Sequence, residues 1–370
     1  MGIPFIDLKT QYRRIEEQVN RRIKTVLEHG RYVMGPEIDE LEERLAKFAG
    51  VKHAISCSSG TDALLMPLMA WGIGSGDAVF TTPFTFFATA EVISLLGARP
   101  VFVDIDPKTF NMDPSALEAA IKEVKKEGTY RARAIIPVDL FGLPADYDAI
   151  NGIAEAHDLL VLEDTAQGLG GIYKGKPAGC LGHAAATSFF PAKPMGAYGD
   201  AGAVFTDDDE LANVMRSIRV HGQGTDKYNN IRIGLNARMD SLQAAVLLCK
   251  LDIFPDELDA RQQVAAWYGE ALARVTTPFV PEGYRSSWAQ YSVLCHDRDA
   301  RLERLKSAGI PFAIYYPTPL HLQDAFAYLG HKKGDFPVSE QCGDQIFSLP
   351  MHPYLDRETI QNIAGVVNQN

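Results

Sequence analysis

At 370 residues the chain exceeds what one ordinary hydrophobic core organises, so its length predicts two domains, or one large α/β domain with a smaller appendage. A net charge of −11 argues against nucleic acid as a partner, although a few backbone amides can hold a phosphate on an acidic protein. The 46% hydrophobic content suits a packed soluble enzyme, no apolar run is long enough to cross a bilayer, and the five cysteines are scattered without ligand spacing; together these predict a cytoplasmic protein with no membrane span and no metal site.

The opening MGIPFIDLKTQYRR lacks the apolar core of a signal peptide, so none is expected. Gln11 to Leu27 alternates apolar and charged positions at helical spacing, and PEIDELEERLAKFAG forms a second amphipathic helix ending on Gly50. His53 to Cys57 reads as a short strand that runs into Ser58-Ser59-Gly60-Thr61-Asp62, after which ALLMPLMAWG is helical again. Small residues at such a junction leave the first helical amides open as an anion seat, and helix capping by Ser59 or Thr61 explains the same residues. Asp77 to Pro83 is then strand and turn, Thr85 to Leu96 a helix, and Pro100 to Asp106 a strand. The turn holds Phe84, Phe86 and Phe87, of which one ring is free to stack on a planar ligand if the others anchor the core.

Helix Pro114 to Glu127, strand Ala134 to Val138, helix Ala145 to His157 and strand Leu159 to Leu162 continue the alternation. Uninterrupted apolar strands alternating with helices predict a parallel sheet covered on both faces, with ligands at the carboxyl ends of its strands. Asp164 and Gln167 come directly after such a strand, where a carboxylate needs a cationic partner unless it caps the next helix. Ala184 to Phe190 is another buried strand, bounded by Pro191, and Pro194, Gly196 and Gly199 make the next segment a tight turn. Lys193 stands in that turn, in a stretch that largely avoids charge. Burial there favours the neutral amine that attacks carbonyls, while a snorkelling ammonium is the alternative.

Beyond it, Glu210 to Arg219 is helical, Val220 to Asn230 is a polar, mobile loop, and helices Ser241 to Leu251 and Pro255 to Val275 come next. From Thr276 onward, strand Ser292 to Leu294, helix Ala300 to Gly309 and strand Pro311 to Tyr315 read as a smaller α+β unit. The expected division is residues 1–250 and 251–370.

An imine-forming lysine, a strand-end aspartate, an anion-binding turn and an aromatic turn are the parts that hold pyridoxal phosphate. The blocks SSGTDAL, FTFFATAEVI, VFVDID, VLEDTAQGLGGIYKGK, TSFFPAKPMGAYGDAGAV, RIGLNARMDSLQAA and SLPMHPYL resemble the signatures of the DegT/DnrJ/EryC1/StrS family, sugar aminotransferases of the fold type I pyridoxal-phosphate class. The resemblance implies an α/β fold with a mostly parallel central sheet and a smaller C-terminal α+β domain. It implies Lys193 as Schiff-base lysine and proton shuttle, Asp164 on the ring nitrogen, Gln167 at the ring hydroxyl, Phe86 stacked on the ring, and Gly60, Thr61 and Ser188 on the phosphate. Asn236 is implied to reach the cofactor phosphate of a neighbouring subunit, hence a homodimer with shared sites, and Arg238, Tyr316 and His321 to face the sugar nucleotide. The implied reaction takes an amino group from L-glutamate, leaving 2-oxoglutarate, to a nucleotide-linked keto-sugar in surface-polysaccharide synthesis. FIDLK, TSFFPAKPMG and SLPMHPYLD resemble the subgroup that aminates UDP-2-acetamido-2-deoxy-3-oxo-glucuronate. Tyr315 stands where that subgroup is expected to carry histidine, which leaves a dTDP-3-keto-6-deoxyhexose as the alternative substrate; a regulator that binds the cofactor without turnover is the alternative of another class.

Overall fold

A computed structural model describes residues 2–226 and 228–369. Helices α1 (Leu8–His29) and α2 (Pro36–Ala49) come first; Asp7 caps α1, and Gly30 and Gly50 end the two helices in left-handed conformation. Strands and helices then alternate: β1 (His53–Cys57), α3 (Gly60–Ala70), β2 (Asp77–Thr81), α4 (Ala88–Leu95), β3 (Arg99–Phe102), α5 (Pro114–Glu127), β4 (Arg131–Ile135), α6 (Tyr147–His157) and β5 (Leu160–Asp164). Two short strands, β6 (Ile172–Tyr173) and β7 (Lys176–Pro177), lead to β8 (Ala184–Ser188), β9 (Gly202–Thr206) and α7 (Asp209–Ile218). The C-terminal part comprises α8 (Ser241–Ala271), β10 (Tyr284–Arg285), β11 (Tyr291–Leu294), α9 (Arg298–Ser307), α10 (Pro337–Gln345), β12 (Ile346–Leu349) and α11 (Arg357–Val367).

Seven strands form the central sheet in the order β1-β9-β8-β5-β4-β2-β3. Pairings from β8 through β5, β4 and β2 to β3 are parallel, whereas β9 runs antiparallel to both β1 and β8. Alternate side chains divide the faces. Ile55, Val79, Ala134, Leu162, Ala186 and Val204 pack under α3, α4 and α7. On the other face, Ala185, Ala203 and Phe205 meet α2 and α8, while Phe80, Ile135 and Val161 meet α5 and α6. The sheet is thus mostly parallel and covered on both sides.

Two expected elements differ. The helices predicted on either side of Pro255 are one helix, α8, with Pro255 inside it. Proline removes one backbone hydrogen bond, but Leu247, Leu248, Leu251 and Leu258 fix the helix to the sheet core while Val264, Ala265 and Tyr268 enter the C-terminal core, so packing on both sides holds it continuous. The division expected after residue 250 falls within this helix. Pro311 to Tyr315 is not a strand; only Ala313 bridges Ser348, and β11 pairs instead with β12. Within the loop expected at Val220 to Asn230, Gln223 bridges Asn230 and Val220 bridges Asn236; Lys227 lies outside the described residues. None of the described helices is long and apolar enough to cross a membrane.

Candidate active site

The strand order explains why residues far apart in sequence converge. Gly202 of β9 pairs with Cys57 of β1 on one side and Ser188 of β8 on the other, which sets the start of α3 beside the end of β8. The approach is close enough to exclude side chains: a Cβ at Gly60 would lie 2.6 Å from Ser188 Cβ, and one at Gly202 2.3 Å from the Ser59 carbonyl oxygen. Ser59 does cap α3, its hydroxyl accepting from Asp62 N at 3.1 Å. That leaves the amides of Gly60 and Thr61, the first in the helix, pointing out of its N-terminus without intrahelical acceptors. Capping and an anion seat therefore belong to different residues of one turn.

Asp164 ends β5 and pairs with Ala186 of β8. It is 4% exposed; Oδ2 accepts from Thr89 Oγ1 at 2.8 Å and Oδ1 from Ala166 N at 3.2 Å. Burial raises its pKa, opposed by those hydrogen bonds and by the charge of Lys193. Lys193 stands in the turn after β8, its N–H donating to Phe190 O at 2.8 Å. Desolvation lowers the pKa of its amine and the Asp164 charge raises it, so burial dominates and favours the nucleophilic form. The two groups face one cavity of ≈ 630 Å³, whose walls also include Gly60, Thr61, Phe86, Gln167, Ser188 and Tyr316. Phe86 is 57% exposed and so has a free ring face, whereas Phe84 is fully buried. Gln167 is held from two sides: its Oε1 accepts from Phe141 N at 2.8 Å and its Nε2 donates to the Tyr316 hydroxyl at 3.2 Å.

Three implied residues lie elsewhere in the chain. Asn236 and Arg238 are outside this cavity, with Arg238 Nε donating to Asn236 Oδ1 at 3.0 Å beside a surface hollow formed with Met34, Val220 and His221. His321 is buried, its Nε2 3.0 Å from Glu340 Oε1, and it is not among the residues that line the cavity, whereas its neighbour Leu320 is. Sequence reasoning gave no role to Thr89, the hydroxyl that holds Asp164, nor to Phe5, Ile6, Gln290 and Gln323 in the cavity wall. Thr89 lies four residues after Thr85, and their hydroxyls are 3.1 Å apart. That spacing was the one available signal, and it becomes informative only once β5 is placed beside α4.

The donor set fits pyridoxal phosphate. An open helix N-terminus with hydroxyls suits its phosphate, a buried carboxylate its ring nitrogen, and an amine of lowered pKa its aldehyde. Fold and cavity together define a pyridoxal-phosphate-dependent enzyme of fold type I. The chain belongs to the DegT/DnrJ/EryC1/StrS aminotransferase family, whose sequence model matches residues 13–368. It is 51% identical to the UDP-2-acetamido-2-deoxy-3-oxo-D-glucuronate aminotransferase of Pseudomonas aeruginosa, over 99% of both chains. It is also 43% identical to a pleiotropic regulatory protein of Geobacillus stearothermophilus, over 98% of this chain and 97% of that one. Among solved structures, a family aminotransferase from Brucella abortus superposes with a TM-score of 0.97 at 52% identity, covering 99% of this chain and 98% of the other.

Proposed function

We propose that the chain transfers the amino group of L-glutamate to the keto carbon of UDP-2-acetamido-2-deoxy-3-oxo-glucuronate, giving its 3-amino product for surface-polysaccharide synthesis in the cytoplasm. The observation that carries this reading is the enclosed pair Lys193 and Asp164 in a chain 51% identical, end to end, to an enzyme of that activity. When bound, the cofactor supplies an electron sink. Lys193 would bind it covalently and, once released by the amino donor, its Nζ would take up and return the proton at the reacting carbon, because burial lowers its pKa and favours the neutral amine that can accept one. Asp164 would keep the ring nitrogen protonated, and Thr89 and Ala166 N would hold that carboxylate in place. Gly60, Thr61 and Ser188 would seat the phosphate, Phe86 would cover the ring, Gln167 would meet the ring hydroxyl and Tyr316 would face the sugar.

The relative with a regulatory name does not favour a non-catalytic role here, because Lys193 and Asp164 are both present and share one cavity.

A homodimer with shared sites completes the proposal. Lys193 is the only lysine or arginine among the described residues lining the cavity, yet a nucleotide diphosphate and a uronate are anionic. Asn236 and Arg238, unused by this chain's own cavity, are the groups that a second copy would lend.

The test is a panel of nucleotide-linked 3- and 4-amino sugars run in reverse with 2-oxoglutarate. Highest kcat/KM for the UDP-linked 3-amino uronate is expected; a preference for a dTDP-linked 6-deoxy sugar would replace that substrate. Borohydride reduction of the coloured protein, followed by peptide mass spectrometry, should place the cofactor on Lys193.

A further inference from the structure

Lys250, in α8, is 1% exposed, and its Nζ has no hydrogen-bond acceptor among the described residues. A cation in a core is costly unless paired. Glu257, two turns along the same helix, is the acid whose charge acts on it. Yet Glu257 is already engaged, accepting from Gln11 Nε2 at 2.8 Å and from the Tyr354 hydroxyl. The ammonium meets instead the face of Tyr198, whose ring centroid lies 4.6 Å away.

Tyr198 belongs to the turn that carries Lys193. Ala197 N donates to Phe189 O at 2.7 Å and closes that turn at its base. A Cβ at Gly196 would lie 2.3 Å from Pro191 O, so the middle of the turn is packed backbone on backbone. Its far end is tied to α8, where Gln243 Oε1 accepts from Tyr198 N at 2.8 Å. Gln243 and Lys250 are seven residues apart, two helical turns, so one stripe of α8 holds both the backbone and the ring of Tyr198. Among the described residues, Tyr12 and Glu16 of α1, Cys249 and Glu257 of α8, and Tyr354 are titratable groups grouped around this contact.

We propose that Lys250 is a positioning residue for Lys193: its ammonium, held against the Tyr198 ring, fixes the turn on which the reacting lysine stands. The proposal rests on Lys193 being that lysine. A purely structural role is a poor account of Lys250, because an apolar side chain of similar length fills the same space without a buried charge. Burial lowers its pKa to about 8, with Glu257 opposing. Below that pH the amine is charged and the grip on Tyr198 is present; above it the amine is neutral and the grip is lost. Turnover therefore falls on the alkaline side with an apparent pKa near that value.

The experiment compares the wild-type, Lys250→Met, Lys250→Arg and Tyr198→Leu holoenzymes for kcat, KM and thermal midpoint from neutral to alkaline pH. Lys250→Met should unfold at the same or a higher temperature while kcat at neutral pH falls about tenfold with little change in KM, and Tyr198→Leu should lower kcat similarly. Lys250→Arg should recover kcat and lose the alkaline decline, because a guanidinium stays charged throughout. Unchanged kcat in Lys250→Met, joint loss of activity and thermal midpoint that arginine does not rescue, or an alkaline decline that persists in Lys250→Arg would overturn the proposal. Failure of the premise is visible separately, as borohydride labelling of a lysine other than Lys193 in the wild-type protein.

Discussion

Asp164→Asn separates the chemistry of the site from its architecture. The carboxylate has two hydrogen bonds, from Thr89 Oγ1 at 2.8 Å and Ala166 N at 3.2 Å. Asparagine can replace both: its Oδ1 accepts from Ala166 N, its Nδ2 donates to Thr89 Oγ1, and Thr89 then turns its proton towards Thr85, 3.1 Å away. Asparagine cannot replace the negative charge. In a site this buried, losing a charge-assisted partner for a protonated ring nitrogen is worth about 4 kcal/mol, on the order of a thousandfold in rate. Stability should move the other way. Because burial raises the Asp164 pKa, the folded state disfavours its charged form, so this group's contribution is full at low pH and declines as pH rises through the folded-state value. At neutral pH the cofactor-free Asp164→Asn protein should therefore unfold at a temperature no lower than wild type. Single-turnover reaction with glutamate, monitored by visible absorbance, and thermal unfolding without cofactor measure the two quantities. A rate within a fewfold of wild type would refute the reasoning and reduce Asp164 to a structural link between β5, Thr89 and Ala166.

The same geometry sets two further outcomes. Gly60→Ala places a Cβ 2.6 Å from Ser188 Cβ, so the turn must open, and cofactor affinity measured by absorbance titration should fall at least about tenfold; unchanged affinity would move the phosphate away from this turn. Mixing Lys193→Ala chains with chains carrying both Asn236→Ala and Arg238→Ala tests the shared site, since random assortment leaves one intact site in half of the dimers. Activity should return to about a quarter of wild type per chain, whereas no recovery despite proven subunit exchange would mean that each site is built from one chain.

Whatever depends on neighbours along the chain was readable from the residues alone. Apolar runs of strand length alternating with amphipathic helices specify a covered parallel sheet, because side-chain period decides which face is buried. A lysine at the end of one such strand and an aspartate at the end of another were legible for the same reason, and the structure places both at one cavity. Whatever depends on pairing between distant segments came only with the assembled fold. The antiparallel insertion of β9 sets Gly60 against Ser188, and no local pattern announces a strand's direction. Pro255 signalled a break that packing against two cores overrode. The pairing of His321 with Glu340 shows only once the two segments are folded together, and Lys250 reads as one more helix-surface lysine until α1 and the turn after β8 close over it. Burial is a property of segments that arrive from elsewhere in the chain. The lysine and the aspartate that meet at the cavity could therefore be picked out in advance, whereas the groups that hold them in place became visible only once the elements were assembled.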